Sequence, residues 1–341
     1  MFSDNVLIGL DIGAHSIKMV EVKHGKNDLE LQTFGMAYHS VNLDGYWDST
    51  KLRQISVIVE EILKNNSFGG VRTVVGVQSK EVYVTTMDFE ASWDKRQIQA
   101  EIEKQAPYFL PYPPDEMRLS WSVVPKDEQI VAYTGKQRVS INAMPDFIIE
   151  NSKNLLEHIN LDGVALENQT NSQVRANFPG DTGNTILVDV GAKQITFSMI
   201  IDGIPRSSVH IPTGVNVITQ QLSESLGVDY KTAEFFKKDL HLINLFQLPK
   251  PALDFFKVIK SELSIFVELN RKISQPPAKI IFTGGGVYTA GFIEFFQSYA
   301  IPVFLANPLR QLKVSENFLP LISPVANQMS AAIGQAIRMD V

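Results

Sequence analysis

At 341 residues, 44% hydrophobic and 20% charged, the chain has the composition of a soluble globular protein long enough for two domains. A net charge of −6 argues against broad nucleic-acid binding, which wants a basic face, and the absence of cysteine excludes disulfides and thiolate metal sites. No basic or apolar leader precedes the first strand and no apolar run approaches the ~18 residues of a span, so the expectation is a cytoplasmic protein with no direct membrane insertion.

Residues 6–12 form a near-continuous apolar run, as in a strand buried on both faces. A tight turn at Asp11-Ile12-Gly13 and a returning strand follow, and 29–38 reads as a third strand. Residues 50–64 place Leu52, Ile55, Val59, Ile62 and Leu63 at a helical period, and 71–77 is a β-branched strand. Residues 81–144 then break this β-β-β-α-β pattern. They hold a strand at 82–89, an amphipathic helix at 92–106 capped by Ser92, and a strand pair at 117–124 and 139–144. Between them, 107–114 is an aromatic and proline run that a helix is expected not to cross, either a core-packed turn or an exposed docking lip. After a helix at 147–158, a short strand at 164–167 and a helix at 169–177, residues 179–184 are the best linker in the chain.

The second half opens with a hairpin at 186–203 and a turn at 211–214. A helix at 215–226 is stopped by Gly227, and Asp229 caps the next one, 230–239. The long amphipathic helix at 253–273 carries a phenylalanine stripe of core character. A strand at 279–283, Gly284-Gly285-Gly286, a helix to 299, a strand at 301–305 and a helix at 328–338 complete the chain.

The two hairpins repeat each other in register without a gap. Ile8 matches Ile186, Asp11 matches Asp189, Gly13 matches Gly191, Ala14 matches Ala192, Ile17 matches Ile195 and Gly25 matches Gly203. Either copy alone would pass for an ordinary hairpin with Asp in its turn. As a pair they predict two related half-molecules. Each turn sets a carboxylate beside backbone N–H groups that can cradle an anion, a combination suited to a hydrated Mg²⁺ on a polyphosphate. The triple glycine after a strand lets backbone lie against a ligand, and a helix N-terminus there would favour anions. Neither a Rossmann fingerprint nor a P-loop is present.

Together these features resemble the actin, Hsp70 and sugar-kinase ATPase fold: an α/β, ribonuclease-H-like lobe present twice, with ATP and Mg²⁺ in the cleft between. The resemblance makes Asp11, Gly13 and Ala14 the first phosphate loop, Asp189, Gly191 and Ala192 the second, and Gly284, Gly285 and Gly286 the adenosine loop. Asp11 and Asp189 would hold Mg²⁺ through water, Ser16 and Lys18 would reach phosphate, and Gly214 would lie in the loop after the second turn. Glu234 and Lys237 would face the nucleoside; a solvated helix face is the alternative.

Four stretches narrow the resemblance to the PilM family of type IV pilus assembly proteins: IGLDIGAHSIKMVEV, QAPYFLPYP, GVDYKTAEFFKK and SAAIGQAIR. The implied division is subdomain 1A at 1–80, 145–180 and 325–341, an inserted subdomain 1C at 81–144, subdomain 2A at 181–212 and 265–324, and subdomain 2B at 213–264. The sequence departs from the family pattern at Gln105, usually Glu, at Val209, usually Arg, and at Thr213, usually the first of a Gly pair. From its position Gln105 would orient a water, and any hydrolysis would be slow. The implied partner is the N-terminal peptide of a PilN-like bitopic membrane protein, held between 1A and 1C near Tyr108, Phe109 and Tyr112. The protein would thereby sit at the inner face of the cytoplasmic membrane and meet other pilus-motor proteins. Two alternatives share the fold. An FtsA-like division protein would carry a membrane helix, which is not expected beyond Asp340-Val341. A small-molecule kinase would need a base beyond Asp189.

Overall fold

The computed structural model describes residues 5–124, 135–178, 180, 183–239, 249–271 and 276–340. Strand β1 (Val6–Ile12) is buried along nearly its whole length because it is flanked on both sides. It pairs antiparallel with β2 (Ser16–His24), which pairs with β3 (Leu29–Tyr38). Helix α1 (Ser49–Asn65) starts where the Asp48 carboxylate accepts from Lys51 N–H, and it buries Ile55, Val59 and Ile62. It crosses over to β4 (Arg72–Val77), which lies parallel to β1.

The inserted segment is a small unit with its own core. Strands β5 (Tyr83–Glu90), β6 (Met117–Val123) and β7 (Lys136–Pro145) form a three-stranded antiparallel sheet. Helix α2 (Lys95–Phe109) sets Ile98 and Ile102 against Phe89, Val139 and Ile141. Two expectations are corrected here. The cap is Asp94 rather than Ser92, because Asp94 and Gln97 close a reciprocal capping box that Ser92 cannot. The helix also runs through Pro107 to Phe109, since proline in a final turn forfeits one backbone bond where the helix is about to end.

The chain returns to the first sheet through α3 (Asp146–His158) and β8 (Asp162–Asn168), parallel to β4. Asn168 then caps α4 (Gln169–Asn177). Of the expected linker at 179–184, only Gly180, Gly183 and Asn184 lie among the described residues.

The second half repeats the first. Strands β9 (Asn184–Val190), β10 (Ile195–Ile201) and β11 (Ile204–Ile211) form the antiparallel set. Helices α5 (Asn216–Leu226), α6 (Tyr230–Lys238) and α7 (Lys250–Asn270) cover it, and β12 (Lys279–Thr283) runs parallel to β9 as β4 does to β1. Helix α8 (Phe292–Phe296) and β13 (Val303–Leu305) complete a sheet of order β11-β10-β9-β12-β13, matching β3-β2-β1-β4-β8. Gly227 at φ +65° ends α5, and Asp229 accepts from Thr232 N–H to start α6, both as expected.

The repeat holds down to single bonds. Gly13 N–H donates to Ser16 O at 3.0 Å, and Gly191 N–H donates to Gln194 O at 2.9 Å. Asp11 stands opposite Lys18, and Asp189 stands opposite Thr196.

The closing segment adds β14 (Leu312–Lys313), α9 (Leu319–Ile322) and α10 (Ser330–Ala336). β14 pairs with β3, so the chain is back in the first lobe well before residue 325. α7 buries Phe255, Phe256, Ile259, Leu263 and Phe266 in one core with β9 and β10, so a division at 264 falls inside a helix of that core. α4 joins the halves: Ala176 packs with α10 and β2, while Val174 and Phe178 pack with Leu187, Ile200 and Ile281.

Candidate functional site

The repeated turns face each other across one cleft. Asp11 is 3% exposed, and its carboxylate takes Lys18 Nζ at 2.9 Å and the Gln169 side-chain amide. Asp189 accepts from Gln173 Nε2 at 2.9 Å. Burial, together with the nearby charge of Asp11, holds the Asp189 carboxyl above the usual carboxylate range against the opposing pull of the Gln173 bond and Lys18. Among the described residues no group of three or more His, Asp or Glu side chains could hold a metal ion. Two facing carboxylates beside backbone N–H groups instead fit a hydrated cation whose remaining ligands are water and phosphate oxygens.

The far wall is the triple glycine. Gly284 sits at φ +88°, and a Cβ there would strike the Asp189 carboxylate and lie 2.6 Å from Val190 O. Gly286 is closed by Val190 and Val215, whereas Gly285 meets only the Gln328 side chain at 3.3 Å. The expected long helix is absent; the chain makes a 3₁₀ turn at Gly285–Tyr288 before the five-residue α8. Consecutive glycines and the stop at Gly291 deny it a run of helix formers, so backbone proximity rather than a helix dipole is what this wall offers. Gly214 does not line the cleft. It lies flat against Ala192, letting Val215 N–H donate to Gly191 O at 3.1 Å, and so braces the second turn.

On the third side, Lys237 is 3% exposed and bonds Glu234 Oε2 at 2.5 Å and Thr219 Oγ1 at 2.9 Å. Burial lowers the Lys237 ammonium despite its partner, and the cations at 237 and 238 bring Glu234 below its usual value although burial opposes them. These two residues are therefore not a solvated face. The mouth is narrowed by His15, whose ring lies 5.4 Å from Tyr38 and 6.1 Å from Tyr230, and by Lys238 at 6.0 Å over the Tyr38 ring. The remaining space is about 120 Å³. Ligand pockets start at roughly 300 Å³, so the cleft is narrow in this arrangement.

Asp11, Gly13, Ala14, Ser16, Lys18, Asp189, Gly191, Ala192, Glu234, Lys237 and the three glycines all line this cleft. Gln105 does not: it is carried on the inserted unit, where its amide donates to Glu101 at 2.8 Å. Gln169 and Gln173, one turn apart on α4, are the amides that reach the carboxylates, and they carry no charge that would have marked them in the sequence.

The three aromatic residues behave differently from one another. Tyr108 is 88% exposed, Phe109 stacks on Tyr83 in the core of the inserted unit, and Tyr112 meets Phe147 edge-on. None of them lines the larger cavity, about 700 Å³, that opens between β6, β7, α4 and the tip of the β10–β11 hairpin.

The sequence model of type IV pilus assembly protein PilM matches residues 9–340. The chain belongs to the PilM family of type IV pilus assembly proteins. A solved PilM-PilN type IV pilus biogenesis complex is similar at a TM-score of 0.83, with 17% identity over 97% of this chain and 98% of that one. The ethanolamine utilization protein EutJ of Carboxydothermus hydrogenoformans is similar at 0.57, with 16% identity over 98% and 90%. MreB 5 of Spiroplasma citri bound to AMPPNP is similar at 0.52, with 12% identity over 97% and 95%. Family and structures agree on an actin-like fold with duplicated lobes.

Proposed function

We propose that this PilM-family protein is an ATP–Mg²⁺-binding adaptor of pilus assembly that holds the N-terminal tail of a PilN-like bitopic partner. The observation that carries the nucleotide reading is the convergence of two hairpins, repeated in register, on one cleft walled by glycines. Backbone N–H groups at Ala14 and Ala192, at the tips of turns that the Gly13 and Gly191 N–H groups close, and the Lys18 ammonium would hold the phosphates. Gly284, Gly285 and Gly286 leave room for a flat base, and the Glu234–Lys237 pair faces the nucleoside. Asp11 and Asp189 would meet the cation through its waters. The amide that would orient a water is Gln169 rather than Gln105, and the carboxylate beside it, Asp11, is already taken up by Lys18 and would be by the cation, so turnover is expected to be slow.

The tail reading rests on the fold shared with the PilM-PilN complex and on the 700 Å³ cavity between the inserted unit and the first lobe. Neither Tyr108 nor Tyr112 lines it: α2, which carries Tyr108, packs on the sheet face of Val139 and Ile141, whereas Ser120 and Asn142 line the cavity. Among the described residues no helix is long and apolar enough to cross a membrane, which suits attachment at the inner membrane face through partners.

Chromatography of the nucleotide released on denaturing protein purified in Mg²⁺ tests the first reading. Intact ATP near one equivalent is expected. No nucleotide, even after incubation with ATP, would refute it. For the tail, Tyr108→Ala should retain peptide binding within about twofold, whereas a bulky substitution at Ser120 inside the cavity should abolish it. The reverse pattern would return the tail to the aromatic run.

A further inference from the structure

Helix α4 presents one face to each of the two cavities. Gln169 and Gln173, one turn apart, donate to Asp11 and to Asp189 in the cleft. Asn171, Val174, Arg175 and Phe178 recur at i, i+3, i+4 and i+7 and line the 700 Å³ cavity. One helix, about 10 Å across, is thus the shared wall of both spaces.

The helix is also held as a rod. A Cβ on Gly334 of α10 would run into the Ser172 carbonyl, so the two helices touch backbone to backbone. Arg175 donates to both oxygens of Glu167, at 2.7 and 2.8 Å, and to Gly334 O at 2.6 Å. Asn177 Nδ2 donates to Ser330 Oγ at 2.8 Å. A rod clamped in this way moves as a unit. In the structure the amides sit on the carboxylates. Were those carboxylates to turn toward a hydrated cation, they would release the amides, and α4 would lose two of its anchors on the cleft side. An occupant of the other cavity leans on the opposite face and meets Arg175, whose fork fixes the helix to β8 and α10.

We infer that the two cavities are energetically coupled through α4: what fills the cavity beside the inserted unit changes the affinity of the cleft for nucleotide, and the reverse. This rests on the nucleotide reading of the cleft. The cleft carboxylates and the cavity lining grip the same helix from different faces, so a shift of its seat under either occupant reaches the other, and linkage makes the effect reciprocal.

The absence of cysteine makes a direct test available. Ser120→Cys puts a single thiol on the exposed face of β6 inside the cavity. Pro205→Cys puts one on the opposite wall, and Lys257→Cys on the outer face of α7 serves as the control. Each is alkylated with N-(1-pyrenyl)maleimide, and ATP–Mg²⁺ is titrated by calorimetry before and after. Alkylation at 120 and at 205 is expected to shift the Kd by about fivefold or more, of either sign, since linkage fixes reciprocity and not direction. Alkylation at 257 should leave it within twofold. Tight binding that ignores the label at both cavity positions overturns the coupling and leaves the nucleotide reading standing. No heat of ATP binding in any form overturns both.

Discussion

The three glycines of the late loop look alike in the sequence, but the structure asks different things of them. Replacing Gly284 by alanine forces a side chain to adopt φ +88°, a conformation that costs about 1–3 kcal/mol. The added Cβ also displaces the Asp189 carboxyl, breaking its 2.9 Å bond from Gln173, and a buried polar group left unpaired costs about 1–3 kcal/mol. Together these predict a loss of about 3 kcal/mol or more, a fall in Tm of about 6 °C or more. ATP–Mg²⁺ binding should fall below detection because the carboxylate no longer faces the cleft. Gly286→Ala keeps an ordinary backbone but overpacks Val190 and Val215, for about 1–3 kcal/mol. Gly285→Ala meets only a movable Gln328 side chain at 3.3 Å and should cost less than about 1 kcal/mol. Thermal unfolding and calorimetry on the three variants would give the order 284, 286, 285. Equal losses, or position 285 falling as far as 284, would refute the account of that wall.

Asp189, its carboxyl raised by burial and by Asp11, stabilises the ligand-free fold in its neutral form; that contribution is full below the ordinary carboxylate pKa and is lost as pH rises through the raised value. Asp189→Asn should therefore remove a pH-dependent loss of up to ~1.4 kcal/mol per pH unit within that window, seen by denaturant unfolding between pH 4 and 8, while abolishing Mg²⁺-dependent binding. Glu21, 5% exposed, takes the N–H groups of Gly69 at 2.8 Å and Gly70 at 2.6 Å; Glu21→Ala should cost about 1.5–3 kcal/mol and speed amide exchange at Gly70. Tyr38→Ala removes the ring that His15 and Lys238 approach, a contact worth roughly 0.5–1.5 kcal/mol, so release of a fluorescent ATP analogue in stopped flow should quicken about 2- to 10-fold; an unchanged rate would mean the mouth does not gate the cleft.

Most of the fold is legible because a strand paired on both sides is mostly apolar, and β1 and β9 are so up to the Asp near each C-terminal end. The repeat then fixed which turns would face each other. What the sequence hid was tertiary. Gln169 and Gln173 are neutral amides on a short polar helix, and only the crossing of α4 between the sheets brings them to the carboxylates. Gln105 was drawn toward the chemistry by its motif, yet it rides on α2, whose Ile98 and Ile102 belong to a separate core. The triple glycine signals a close backbone approach in the sequence, but local pattern does not reveal that a 3₁₀ turn and a five-residue helix, rather than one long helix, follow it. Pro107 lies within one turn of a helix end, where its missing N–H matters least.

The contact of α10 with the first hairpin has a consequence for synthesis. His24 Nε2–H donates to the Ala336 carbonyl at 2.7 Å across 312 positions of chain. At about 5–20 residues per second, the ribosome needs roughly 15–60 s to supply that partner. During this wait Val20, Val22 and Leu31 lack the Ala332, Ile333 and Ile337 side chains that cover them, while the second lobe is contiguous in sequence and can mature first. The order of folding is therefore expected to run against the order of emergence: the second lobe closes early, and the lobe begun first stays open, a client for chaperones, until α10 has been made.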